Sequence, residues 1–131
     1  EEYAQRTRKL ISEHGLSDLC EILHAPILPC EYGGETSTCY SIDASQLRSA
    51  LAGRGVDLLV VDGPAGDRFP TLLSVSEHLS PGATVVLDDA WRDAELEVAQ
   101  RWSSLPSLSV EGILPVGKGL LLAKVIGGDN A

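Results

Sequence analysis

A chain of 131 residues is long enough for one domain with a real core, since a chain near 150 residues buries roughly 70% of the surface its unfolded form exposes. Its hydrophobic and charged fractions, 44% and 22%, are those of a folded domain and exclude a disordered one. Ten basic residues against nineteen acidic ones give a net charge of −9, which disfavours a phosphate backbone as partner, and no stretch approaches the ~20 apolar residues of a membrane span.

In chain order, residues 2–14 read as a helix, with Tyr3, Thr7, Leu10 and Ile11 at helical spacing and Gly15 as its stop. Residues 20–28 carry Ile22, Leu23, Ile27 and Leu28 and read as a strand leading to a turn at Pro26 or Pro29. Residues 29–41, with Gly33-Gly34 and several Ser and Thr, read as a loop by composition. Asp43 or Ser45 caps a short helix through Leu51, which ends at Gly53 or Gly55. Residues 56–61 are a short run rich in β-branched side chains, a strand buried on both faces, and it runs into Asp62-Gly63-Pro64. A helix begins around Phe69 and Pro70, a proline being tolerated in the first turn. Pro81-Gly82 then punctuates the chain before a second such strand, 82–87, which runs into Asp88-Asp89. Residues 91–103 form a third helix with Val98 and Trp102 on one face. Residues 108–114 and 120–125, around the Val116-Gly117-Lys118-Gly119 turn, form an antiparallel hairpin.

Alternating helices and strands with a closing hairpin specify an α/β fold, a three-layer α/β/α sandwich whose mostly parallel sheet carries an antiparallel last strand. Strand, helix, strand is the crossover unit of a parallel sheet, and ligands bind such sheets beyond the carboxyl ends of the strands. Asp62, Asp88 and Asp89 are therefore expected side by side on the functional rim. Three carboxylates there suit a hard divalent cation such as Mg2+. The alternative is that the acids cap the helices that follow them. Cys20, Cys30 and Cys39 are widely spaced, without a C-x-x-C pair, and are read as idle thiols of a reducing compartment. With no signal peptide visible after Glu1-Glu2, the expected location is cytoplasmic. No G-x-S-x-G elbow and no G-K-[ST] loop occurs, which leaves hydrolase and NTPase readings without support.

The text on these elements resembles the class I S-adenosylmethionine-dependent methyltransferases, and within them a bacterial subgroup with D-G-P and D-D-A turns. The residues that carry the resemblance are Glu2-Tyr3-Ala4-Gln5-Arg6-Thr7-Arg8-Lys9-Leu10-Ile11, His24-Ala25-Pro26-Ile27, the stretch from Val61-Asp62-Gly63-Pro64 to Arg68-Phe69-Pro70, and Val86-Leu87-Asp88-Asp89-Ala90-Trp91-Arg92. The resemblance implies a Rossmann-like sheet, S-adenosyl-L-methionine as cofactor and a small-molecule methyl acceptor. It implies cofactor contacts from His24, Ala25, Asp62 and Gly63, and substrate contacts from Arg68, Tyr40 and Trp91. Asp62 and Asp88 are implied as catalytic. In the metal-dependent O-methyltransferases, which the pattern also resembles, Asp62 and Asp88 would ligate Mg2+ and Asp89 would stand at an amide position.

One departure is large: the family's Gly-rich turn after the first strand and the acid after the second do not occur in these 131 residues. The domain is thus expected to be N-terminally truncated relative to the family and not competent alone. Its strands would then present an open edge or associate with another copy. The competing reading is a non-catalytic methyltransferase-like module that serves as an oligomerising scaffold. A nucleotide-binding α/β domain, argued from fold alone, is weaker still.

Overall fold

The chain alternates helix and strand as its hydrophobic periods predict, with one added hairpin. The computed structural model describes residues 1–127. In order, its elements are α1 (Glu2–Glu13), β1 (Ile27–Tyr32), β2 (Glu35–Tyr40), α2 (Ala44–Leu51), β3 (Val56–Val61), α3 (Phe69–Val75), β4 (Leu79–Leu87), α4 (Asp93–Ser103), β5 (Leu108–Leu114) and β6 (Leu120–Val125).

A four-stranded mixed sheet runs β3-β4-β6-β5. The β3–β4 pair is parallel, and β6 lies between β4 and β5, antiparallel to both. The C-terminal strand is therefore inserted, as expected, and the parallel content of the described sheet is the β3–β4 pair. Strand alternation sends Val61, Val85, Leu87, Leu121 and Ala123 to one face, where α3 and α4 cover them with Phe69, Leu72, Val98 and Trp102. The opposite face is thinly covered at β3: Leu58 and Val60 are 59% and 57% exposed. Among the described residues β3 is also an edge strand with no partner on its outer side.

Three local expectations are corrected. Residues 29–41 are not a loop: β1 and β2 pair antiparallel across Gly33-Gly34, with Tyr32 opposite Glu35. Both glycines have positive φ, 62° and 82°, which a two-residue turn matching strand twist requires and which only glycine adopts freely. Residues 20–26 form no strand. That run makes no ladder, and the Arg8 guanidinium holds it by donating to the Ile22 carbonyl at 3.0 and 3.2 Å. Pro81-Gly82 is not a turn ahead of β4 but lies inside it, where the register jumps between Val56↔Leu79 and Leu58↔Thr84, and Gly82 takes φ 78°.

The caps follow local chemistry. Asp43 accepts from the Gln46 N–H at 2.9 Å and starts α2, and Ala52 ends it in a left-handed conformation. The hairpin is tied to the sheet's helical layer. Tyr32 and Ser74 hydroxyls meet at 3.4 Å, and Arg101 of α4 pairs with Glu35 at 3.4 Å while stacking 3.7 Å over the Phe69 ring. The thiol reading is also corrected: Cys30 and Cys39 sit diagonally across the hairpin, Cα atoms 6.2 Å apart, and are joined as a disulfide, while Cys20 is free and exposed. Once the hairpin forms, its register brings these two cysteines together; their spacing in a presumed loop gave no such signal.

Candidate functional site: an acidic rim closed by one arginine

Parallel pairing of β3 and β4 brings their carboxyl ends together, and the Asp88 N–H donates to the Val61 carbonyl at 3.1 Å across that junction. The two acid turns therefore converge. One oxygen from each of Asp62, Asp88 and Asp89 lies within 4.8 Å of the others. Neither Asp88 nor Asp89 caps α4, whose N-cap is Arg92 without a side-chain bond. Asp88 instead accepts from the Asp89 N–H at 2.8 Å. Asp89 takes a left-handed φ of 53°, a conformation open to Gly, Asn and Asp and costly for most other residues.

Arg68, expected to face substrate, is buried at 3% exposure with its guanidinium turned to the rim. One terminal nitrogen donates to the Asp88 carbonyl at 2.7 Å. The other lies 3.5 Å from Asp62 and 3.6 Å from Asp89. Its Nε is 3.4 Å from Glu95, too poorly aligned for a hydrogen bond, so that pair is ionic only. Glu95, 2% exposed, did not stand out in the sequence. The available signal was its place: three residues before Val98 and seven before Trp102, a carboxylate on the apolar stripe of α4. Arg92 pairs with Asp89 at 2.9 Å from the solvent side.

The loop between β3 and α3 is held from both sides. Thr71 donates to the Gly63 carbonyl at 3.0 Å. Asp67 accepts from the Ser37 hydroxyl and, at 3.0 Å, from the Thr38 N–H of β2. This tether carries Tyr40 to Gly63, where any Cβ would collide with the Tyr40 hydroxyl. Tyr40, His24 and Ala25 line one mostly apolar pocket of about 350 Å³ together with Ile42, Leu47 and Asp43. Tyr40 thus links the pocket to the Asp62-Gly63 turn. A more polar cleft of about 490 Å³, between α1, residues 17–23 and α2, contains none of the rim acids. Trp91, half exposed, lies against Gly119; its backbone N–H donates to the Lys118 carbonyl at 3.1 Å, and the Ala90 backbone N–H to the Gly119 carbonyl at 3.0 Å. The Asp88–Trp91 turn is thereby stapled to the β5–β6 turn.

Octahedral Mg2+ needs near-ideal ligands at about 2.1 Å. Asp62, Asp88 and Asp89 all have protein partners already, and Arg68 reaches all three residues. As arranged, guanidinium compensates the rim in part, and Arg68 rather than a divalent ion lies against the Asp62 and Asp89 carboxylates, so the donor set does not fit octahedral Mg2+.

No protein-family model matches the chain, and no curated protein matches it. Solved structures do match in fold. A methyltransferase from Geobacter sulfurreducens superposes with a TM-score of 0.63 at 20% identity, over 97% of this chain and 55% of that one. An O-methyltransferase from Bacillus cereus, solved in complex with SAH, superposes with a TM-score of 0.58 at 16% identity, over 95% of this chain and 59% of that one. The chain has the α/β fold of these methyltransferases and spans a little over half their length. Among the described residues no helix is long and apolar enough to cross a membrane.

Proposed function

We propose that this domain serves S-adenosylmethionine-dependent methyl transfer to an oxygen or nitrogen of a small molecule. The observation that carries the reading is the gathering of Asp62, Asp88 and Asp89 at the carboxyl ends of β3 and β4, with Tyr40, which lines a neighbouring apolar pocket, packed against Gly63. The fold shared with methyltransferases, one of them solved with SAH, supports it. S-adenosylmethionine would supply an electrophilic methyl group on a positively charged sulfonium. At the rim four carboxylates (Asp62, Asp88, Asp89, Glu95) face two guanidiniums, a net charge of −2 that favours a cationic ligand. The His24–Ala25–Tyr40 pocket accepts a flat ring, and Gly63 lets the backbone approach it. Asp62, two-thirds exposed, takes the acceptor's proton, with Asp88 beside it. Trp91 and Tyr40 shield the acceptor from water, and most of the rate comes from holding the reactants in line. The open edge of β3 leaves backbone groups free to pair with a further strand. We place the domain in the cytoplasm, although the Cys30–Cys39 bond points to an oxidising compartment; a native free-thiol count of three supports the cytoplasm and a count of one overturns it.

Calorimetric titration with S-adenosylmethionine tests the reading, on the 131-residue chain and on one extended by a strand and glycine-rich turn. Saturable binding by either supports it. Binding by neither, with both folded, returns the domain to a non-catalytic scaffold.

A further inference from the structure

We propose that Arg68 is the resident cation of the acidic rim, positioned by the buried Glu95, and that it occupies the place a divalent metal would otherwise take. Arg68 and Glu95 are the two buried charged residues among those described, at 3% and 2% exposure. Neither charge tolerates burial unpaired, and each is the other's neighbour at 3.4 Å. From that anchor one nitrogen of the planar fork lies against the Asp62 and Asp89 carboxylates and the other donates to the Asp88 backbone carbonyl, while the Asp88 carboxylate accepts from the Asp89 N–H. A lysine would present a single point charge and could not make these contacts together. The rim backbone depends on the same group, since Asp89 is held at positive φ between Arg68 inside and Arg92 outside. Glu95 is thus a positioning residue that acts through Arg68. The proposal does not need the methyl-transfer reading: its readout is cation affinity, so the two fail separately.

Mn2+ binding, followed by electron paramagnetic resonance, is the test. The parent is expected to show no saturable one-to-one binding at millimolar Mn2+. The double variant Arg68→Met/Glu95→Leu replaces the buried pair by apolar side chains of similar volume, a change that commonly preserves folding. It should bind Mn2+ at least about tenfold more tightly, because a cation a few ångströms from the ligands is gone. Asp62→Asn on that background should remove the gain. Saturable binding by the parent that Asp88→Asn abolishes overturns the proposal, as does a folded double variant with the parent's affinity. If the double variant does not fold, NMR on the parent decides. The protected Arg68 Nε–H signal should stay sharp as Mn2+ is added, and selective broadening of that signal would refute the assignment.

Discussion

Helices α1 and α4 are nearly equal in length, 12 and 11 residues, and both are amphipathic by sequence, yet they end in opposite situations. Helix α4 buries Glu95, Val98 and Trp102 against the sheet; α1 buries nothing, and its Tyr3 and Leu10 stay exposed. The sheet covered by α3 and α4 is a closed hydrophobic unit, whereas α1 and α2 have no buried residue. An apolar stripe makes a helix only ready to dock. Burial needs a facing surface, and the thinly covered face of β3 has none in place for Leu58 and Val60.

Substitutions graded across this divide should lose effect from the α4 side to the α1 side. Trp102→Ala empties the centre of the core and should cost about 3–5 kcal/mol, seen as a lower urea midpoint at unchanged slope. Glu95→Ala removes the buried carboxylate beside Arg68, leaving Asp62 and Asp89 as its acidic partners, and should cost about 1–3 kcal/mol; an unchanged midpoint would mean the pair does not hold the rim. Gly119→Ala sets a Cβ 2.9 Å from the Trp91 ring and backbone at φ 91°, and should cost about 1–3 kcal/mol while shifting Trp91 fluorescence. Asp43→Ala removes the cap of α2 and should cost about 1 kcal/mol, registered as faster amide exchange at Gln46. Leu10→Ser, on the exposed face of α1, should stay within about 0.5 kcal/mol; a larger loss would show that α1 packs where this structure leaves it open.

The contrast also separates what could be read from the text. Strands β3, β4, β5 and β6 were legible because short β-branched runs between turn residues have one stable use, and α4 because Val98 and Trp102 share a face. Asp62, Asp88 and Asp89 were legible as a group because parallel neighbours end at the same edge. The β1–β2 hairpin was not: Ser, Thr and Gly mark loops by composition, and the meaning of Gly33-Gly34 lay in two positive φ angles rather than in residue type. Arg68 was visible as a residue but not as a role. Whether a guanidinium faces solvent or a carboxylate depends on what α4 brings beneath it.

Local chemistry along the chain decided that residues 56–61, 108–114 and 120–125 are strands, that 93–103 is a helix and which turns carry acid, because period, caps and turn residues act over a few neighbours. Tertiary packing alone decided that Glu95 lies under Arg68, that Tyr40 reaches Gly63, and that a buried guanidinium meets the acids from within. The Tyr40–Gly63 and Arg68–Glu95 contacts join residues 23 and 27 positions apart in the chain, and burial is what makes a charge such as Arg68 find its partner.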